Sequence, residues 1–414
     1  MGGTASRESM VSSSLPQPDG DEPAIGPAAL MRMVFSGADL ADAVQRAANN
    51  PNPAHMLMGL STISQLTGSA ELGLEMQAKA LQMQQLYRIP AGGGQAALRL
   101  LAITSPGPMM GNTPLEFLLE GSDVALDLLY MGPGLPFPAA LPDHDVLFIA
   151  VAGSDENRQL LQRIASLTSD WARPVLNRAD HVAALSRDAA CARLQGAPGI
   201  VMPTTARVER QALERLGRGE LSIAAIVGDG DFPIIARPLD SHGGRGLSKL
   251  DAAGAIADYL QARPEETFYV ARFVDYRGPD GLFRKYRIVL IDGHPFACHM
   301  GISADWMIHY KNAGMEESAE KRAEEAHFMS SFDADFARRH DAALRAIAER
   351  MELDYLVIDC AETADGRLLV FEVDSSGFVH ALDPVDVFPY KQPQMRKVFD
   401  AFRAMLASRV QRAG

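Results

Sequence analysis

Residues 356–374 read "LVIDCAETADGRLLVFEVD" and place Asp359, Glu372 and Asp374 in a stretch that otherwise has the composition of buried strand. Like charges facing one another across a sheet destabilise it, and buried charges need partners. Asp365-Gly366 is a two-residue hairpin signal. If Ala364 and Arg367 close the turn, Asp359 stands opposite Glu372 and Val357 opposite Asp374. Alternation then gathers the three carboxylates on one face and sets Ile358, Cys360, Phe371 and Val373 on the other. Directly opposed side chains lie about 4.5–5.5 Å apart, too close for two bare carboxylates and suited to oxygens sharing a hard cation. Oxygen ligands with water favour Mg²⁺ over zinc. Two alternatives stand beside this reading. The face could be a solvated acidic one paired with lysines, or a three-residue loop could slip the register and flip the faces.

Working outward, the 414-residue chain has room for two or three domains. Apolar residues make up 47% and charged residues 22%, as in a soluble globular protein. A net charge of −13 argues against a broad nucleic-acid surface, so any anionic ligand needs a local basic cluster. Cys191, Cys298 and Cys360 are far apart, lack metal spacing and suit a reducing compartment. No apolar run reaches membrane-spanning length, and the N-terminus has no signal-peptide core. "MGGTAS" fits the permissive myristoylation rule, which a small-residue tail also matches by chance. The expectation is a soluble, cytoplasmic protein with no nucleic-acid or membrane partner.

Residues 1–25 have the Ser, Gly, Pro and acidic composition of a disordered tail. A helical segment follows over 26–92. Leu40, Val44 and Ala47 form a stripe starting from Asp39, and residues 53–89 read as two antiparallel helices with "TGSAE" as the turn, like a single tetratricopeptide hairpin. Its Met and Leu stripe suits plain core or a partner surface. After "PAGGGQ" (90–95), the runs "LRLLAIT" (98–104), "VALDLLY" (124–130) and "DVLFIAV" (145–151) are strand-like. Thr113, Pro114 and Glu116 sit in capping-box order between the first two. Helical "DENRQLLQRIASL", a strand near 175, a helix from Asp180 and a strand ending at Pro203 complete a small parallel α/β region over 93–205. From 206 to 410 helices and hairpin strands alternate in an α+β pattern, closed by a helix at about 393–409.

Within that region "FPIIARPLDSHGGRGLSKLDAAGAIADYL" supplies a strand, a glycine loop and a helix. Gly243, Gly244 and Gly246 let backbone N–H groups converge on an anion. The spacing fits neither the Walker loop nor the dinucleotide fingerprint, and an ordinary glycine turn is the alternative. Arg237 precedes the loop and Arg245 lies within it. "FRKYRIVLIDGHPFACHMGIS" then forms two strands around Asp292-Gly293, with Lys285 and Arg287 on one face and Arg284 on the other. Such a cluster in an acidic protein suits phosphate neutralisation or a salt-bridged solvated face.

Taken with the carboxylate hairpin, these motifs resemble the ATP-grasp superfamily in order and spacing over about residues 95–409, especially the bacterial group with a tetratricopeptide-like N-terminus. The resemblance implies a multidomain α/β and α+β fold. Its parts are an N-terminal helical hairpin, a pre-ATP-grasp parallel α/β domain (93–205) and an ATP-grasp domain of two α+β subdomains, the lid (206–267) and the metal and substrate subdomain (268–410). It implies magnesium, two ions in the usual arrangement, at Asp359, Glu372 and Asp374. It implies ATP contacts at Arg187, Arg237, Ser241, His242, Gly243, Gly244, Arg245 and Gly246, with an adenine hinge at Ala271, Arg272, Phe273 and Val274. Arg287 takes the place of the arginine on the transferred phosphate, beside Lys285 and Arg284. Asp374 stands where the family has Asn, Arg237 where it has Lys, and Lys285 where many relatives are acidic, which suits an anionic substrate. The implied chemistry is activation of a carboxylate as an acyl phosphate and capture by an amine, an amino acid or peptide, releasing ADP. A nucleotide-binding module with little catalysis, or a small-molecule kinase, are the alternatives. His309 and Lys311, in a loop with Trp306, Tyr310 and Asn312, and Ser375, Ser376 and His380, just past the hairpin, are the candidate substrate contacts. A homodimer and a protein partner at the N-terminal helices are further expectations.

Overall fold

Punctuation by proline and capping residues cuts the N-terminal part of the chain into short helices. The computed structural model describes residues 26–109, 111–239, 241, 243–309 and 312–413. The N-terminal tail with its acylation pattern, and the candidates His242 and Lys311, lie outside them. The chain divides into two units, Met1–Met109 with Gly121–Leu147 and Met110–Glu120 with Phe148–Gly414.

In the first unit α1 (Pro27–Phe35), α2 (Ala41–Ala48), α3 (Pro53–Leu66) and α4 (Ala70–Met83) precede strands β1 (Leu86–Ile89), β2 (Leu98–Thr104) and β3 (Val124–Tyr130). Asn52 caps α3 by accepting from Ala54 N and His55 N, with Pro53 at the first helical position. In α2 the inward residues are Ala43 and Ala47, while Val44 is 40% exposed. The expected stripe through Leu40 and Val44 is therefore rotated by one position. Helix α4 stops at Met83 rather than running on to Ile89. Tyr87 and Ile89 instead pair with Leu128 and Leu126 of β3, where aromatic and β-branched side chains pack well. Strands β2 and β3 run parallel, and β1 is antiparallel to β3.

The second unit holds α5 (Leu115–Leu118) and follows on from β4 (Val146–Ile149). The expected capping box at α5 is not formed. Pro114 occupies the N-cap without a side-chain bond, and Thr113 Oγ1 donates instead to Ala150 O (3.3 Å) and Ser375 O (2.8 Å). Next come α6 (Arg158–Leu167), β5 (Val175–Leu176), α7 (Ala179–Val182) and α8 (Arg187–Leu194), so the single helix expected from Asp180 is two.

Strand β6 (Ile200–Val201) is followed by β7 (Thr205–Glu209), α9 (Arg210–Gly217), α10 (Ile223–Val227), β8 (Ile234–Pro238), β9 (Ser248–Leu250), α11 (Ala255–Gln261) and β10 (Thr267–Arg272). An antiparallel sheet in the order β7-β10-β8-β9 results. One of its faces supplies Val208, Ile234, Ala236, Phe268 and Val270 to a core shared with Leu213, Leu216, Ile223 and Ile256 of the helices. Strand alternation turns Arg207, Arg237 and Tyr269 to the other face.

The remaining elements are β11 (Phe283–Ile291), β12 (His294–Ser303), α12 (Ala319–Ser331), α13 (Phe336–Arg339), α14 (Asp341–Met351), β13 (Tyr355–Glu362), β14 (Leu368–Asp374) and α15 (Lys391–Ala413). The sheet order is β12-β11-β13-β14-β6, antiparallel except for β6 beside β14. On the face away from Arg287, Tyr286 packs on Phe328 and Phe336, with ring centroids 4.9 and 4.8 Å away. The chain is thus a mixed α/β fold with several sheets. No helix among the described residues is long and apolar enough to cross a membrane.

Candidate nucleotide and metal site

The carboxylate hairpin reaches its register by two compensating irregularities. Thr363 N–H donates to Arg367 O (3.0 Å) and Gly366 N–H to Thr363 O (2.9 Å), which makes a three-residue loop of 364–366. Gly366, at φ +78°, takes the left-handed position. That loop alone would slip the pairing by one residue. Strand β14 carries an extra residue, Phe371, between Val370, which pairs with Cys360, and Glu372, which pairs with Asp359. The bulge restores the expected opposition, with Val357 opposite Asp374. It also puts Phe371 at the cleft wall beside Glu372, not on the far face where uninterrupted alternation sets it.

Each carboxylate has its own partners. Asp359 is buried and faces Arg287 across β11. Arg287 Nε and Nη2 donate to its two oxygens at 2.8 and 3.0 Å, and Lys285 Nζ lies 2.8 Å from Oδ2. Burial would raise this carboxyl, yet the two cations hold it well below the ordinary carboxylate range. Glu372 is half-buried and ion-paired with Arg187, the first residue of α8. Burial pushes Glu372 up, and the charges of Arg187 and then Arg237 outweigh it, leaving its pKa at about 2. Asp374 Oδ1 accepts from Ser376 N and Ser376 Oγ, both at 2.8 Å.

Several segments bring these groups to one cleft. Its wall includes Gly153 and Asp155 after β4, Arg187, Ser241 of the glycine turn, Tyr269, and Glu372, Asp374 and Ser376. Arg237 is buried behind Ser241, donating through Nε to Ser241 Oγ (3.1 Å) and through Nη2 to Ser241 O. Burial brings Arg237 down to about 10, and the nearby Arg187 charge pushes the same way. Two guanidinium groups thus act on one carboxylate, Glu372.

In the glycine turn Gly243, Gly244 and Gly246 all have positive φ, from +61° to +76°. A Cβ at Gly246 would also lie 2.7 Å from Pro238 Cδ, so the turn closes on β8 only with glycine there. Arg245 is exposed on the same turn. The loop after β12 comes close as well: a Cβ on Gly243 would lie 3.9 Å from His309 Nε2, and one on Gly244 3.9 Å from Met307 Sδ. Asn312 Oδ1 steadies that loop by accepting from His309 N (2.8 Å).

At the exit of β10, Ala271, Arg272, Phe273 and Val274 are half-buried. Phe273 packs edge-on against Trp306 (5.8 Å), with Lys249 Nζ 4.9 Å from its ring centre, and Arg272 pairs with Asp229. Ser375 is fully buried. His380 Nδ1 accepts from Leu382 N, its ring 4.5 Å from that of Phe378. Arg284 is not brought to this place; it points to the opposite face, tied to Asp280 and Glu324.

Sequence reasoning missed Tyr269, Arg207 and the 152–155 loop. Tyr269 stands between Arg237 on β8 and Arg207 on β7 in register, and the guanidinium of Arg207 lies 5.5 Å from its ring centre. Alternation along "TFYVAR", with Phe268 and Val270 in the core, was the available signal. As a donor set, Glu372 and Asp374 offer oxygen ligands of the kind magnesium takes together with phosphate oxygens and water. The glycine turn with Arg187 and Arg237 suits phosphates. Among the described residues no group of three or more His, Cys, Asp or Glu is placed to hold a metal ion.

No family model matches the chain, and no curated protein matches it. Among solved structures it is similar to a RimK domain protein ATP-grasp from Sphaerobacter thermophilus DSM 20745, at 19% identity, 76% of this chain, 99% of that one and a TM-score of 0.42. It is similar to D-alanine–D-alanine ligase from Bacillus anthracis complexed with ATP, at 13% identity, 77% and 100% coverage and a TM-score of 0.44. It is also similar to the VanG D-Ala:D-Ser ligase from Enterococcus faecalis, at 12% identity, 75% and 99% coverage and a TM-score of 0.45. Each of these likenesses spans about three quarters of this chain and nearly all of the other.

Proposed function

We propose that the protein is an ATP-dependent ligase that activates a carboxylate as an acyl phosphate and couples it to an amine, releasing ADP and phosphate. The observation that carries this reading is the convergence, on one cleft, of Ser241 of the glycine turn, Arg187 and the neighbouring carboxylates Glu372 and Asp374, with Arg237 buried behind Ser241. Phosphoryl transfer asks a protein for positioning and charge neutralisation rather than for a nucleophile. A buried guanidinium on β8 bonded to the turn, a second at the start of α8 and backbone N–H groups freed by glycine supply both.

In this reading Arg187, Arg237, Ser241 and the turn through Gly246 hold the phosphates, and residues 271–274 receive the base. Glu372 and Asp374 hold magnesium, which neutralises phosphate charge when bound. Arg287 and Lys285 face the transferred phosphate and the acyl group. His309, Ser376 and His380 border the acceptor side, and the amine is that of an amino acid or peptide. The uncapped Thr113 supports the arrangement, because its hydroxyl ties down the segment that follows Asp374.

Incubation with ATP, Mg²⁺ and a pool of amino acids and peptides, read by mass spectrometry, tests the proposal. ADP and a new amide are expected together, dependent on both substrates and abolished in Glu372→Gln. ADP with a phosphorylated product and no amide would make the protein a kinase. Nucleotide binding without turnover across the pool would make it a binding module.

A further inference from the structure

Four neighbouring strands each set one titratable side chain into a single row. His299 of β12 stands opposite Arg287 of β11, Arg287 opposite Asp359 of β13, and Asp359 opposite Glu372 of β14. Opposed side chains of this kind lie about 4.5–5.5 Å apart. A bulge brackets the row at either end. Phe371 is the extra residue on β14, and Cys298 is the extra residue on β12, between Ala297, which pairs with Ile288, and His299. Continued from Ala297 without that bulge, the register would set His299 opposite Tyr286, on the far face where Phe328 and Phe336 pack. Re-aiming a side chain in this way is what bulges beside functional sites do.

His299 is half-buried and ringed by charge. Arg287 and Lys285 of β11, Asp359 of β13 and Lys391 at the start of α15 all act on its ring. Lys391 is itself paired with Glu325 of α12 and with Asp383, and the adjoining Cys298 thiol is buried and pushed up to about 12. Burial first, then the charges of Arg287 and Lys391, hold the imidazole well below its ordinary range, so it is neutral at neutral pH. The row therefore has an order: Glu372 on the cleft wall, Arg287 two strands on, and a neutral proton acceptor one strand beyond Arg287.

We propose that His299 is the general base of amide formation, taking the proton of the acceptor amine as it attacks an acyl phosphate held at Arg287. The inference rests on the ligase reading above. The amine nitrogen bonds to the acyl carbon, the bond from that carbon to the phosphate oxygen breaks, and inorganic phosphate leaves. The nitrogen, strongly acidic once bonded to carbon, gives its proton to the ring, and the imidazolium returns it to solvent. The phosphate anion offsets the charges of Arg287 and Lys285, which raises the basicity of the ring at the step that needs it.

The test incubates the full chain with ATP, Mg²⁺ and the amino-acid and peptide pool, with and without hydroxylamine. Hydroxylamine is an uncharged, strong nucleophile at neutral pH, and its adduct loses a proton to water. It therefore captures an acyl phosphate as a hydroxamate without help from a protein base. His299→Gln is expected to lower amide formation about a hundredfold or more, with hydroxamate formation and ATP-analogue affinity at the wild-type level. His299→Asn should behave alike, and it carries the comparison if His299→Gln does not fold. Amide formation at the wild-type rate in a folded variant overturns the inference. So does an equal loss of amide and hydroxamate, which would move the role of His299 to carboxylate activation. Both results leave the ligase reading intact. A wild-type chain that forms neither amide nor hydroxamate brings down that reading and the inference with it.

Discussion

Replacing Gly377 with alanine should loosen the metal site from behind. The chain turns away from β14 through Ser375 and Ser376 and passes so close to β13 that a Cβ on Gly377 would meet Val357 Cβ at 2.6 Å, Cγ1 at 2.7 Å and Cγ2 at 2.9 Å. All three carbons of that side chain clash, so no rotamer of Val357 relieves the contact. Val357 is buried in the pairing of β13 with Asp374 and has nowhere to retreat. Restoring an ordinary 3.4 Å contact asks the 375–378 segment to move by about 0.8 Å. Overpacking of this kind costs about 1–3 kcal/mol. The displaced segment includes Ser376, whose N–H and hydroxyl hold Asp374 Oδ1, and Phe378, whose carbonyl holds Arg287. Losing the groups that orient a metal carboxylate typically costs about 10–100-fold in affinity. Urea unfolding and Mn²⁺ binding with an ATP analogue should therefore both register the change. Gly366→Ala is the control: it carries the strain of φ +78° but meets no atom within 4 Å, so it should cost about 1–2 kcal/mol and leave Mn²⁺ alone. A Gly377→Ala protein with wild-type stability and wild-type Mn²⁺ affinity would refute the reasoning.

Three other outcomes follow from the same geometry. Glu372 has its folded pKa lowered from 4.5 to about 2, so its contribution to stability is complete above pH 4.5 and disappears as pH falls toward 2. The stability difference between wild type and Glu372→Gln, by urea unfolding without nucleotide, should shrink on acidification from an upper bound of about 3 kcal/mol; a difference that grows would contradict the ion pair. Arg237→Met should remove about 1.5–3 kcal/mol of ATP-analogue binding by calorimetry, whereas Arg284→Met, on the opposite face with Asp280 and Glu324, should not alter it; equal losses would show that the faces are misassigned. Lys391, buried against Glu325 and Asp383, does not line the cleft. Lys391→Met leaves those carboxylates without their cation and should cost about 3–5 kcal/mol in chemical denaturation, and a loss below about 1 kcal/mol would mean the cluster is not a buried ion pair in energetic terms.

How much of this was legible in the sequence depended on whether the deciding contact was local. Strand alternation and Asp-Gly punctuation located the hairpin, the glycine loop and the split between Lys285 with Arg287 and Arg284, because each depends on residues within a few positions. The helix that became β1 failed for the opposite reason. Nothing near Tyr87 and Ile89 forbids helix, and it is their pairing with β3, some forty residues on, that makes them strand. The capping box at Thr113 failed likewise, because Ser375, 262 positions away, claims the hydroxyl. The hairpin itself is the instructive case. The opposition of Asp359 and Glu372 was read from a two-residue turn that does not exist, and it holds only because the extra residue at Phe371 undoes the slip of a three-residue loop. A slip of one would have flipped every side chain on β14 and left Glu372 and Asp374 facing away from the Arg187 and Arg237 charges. The bulge is thus where the sequence commits the acidic face to the cleft. Its extra residue is an aromatic whose ring also packs on Tyr276 (5.1 Å), just past the exit of β10, so deleting Phe371 should cost the hairpin its register before it costs the sheet its core.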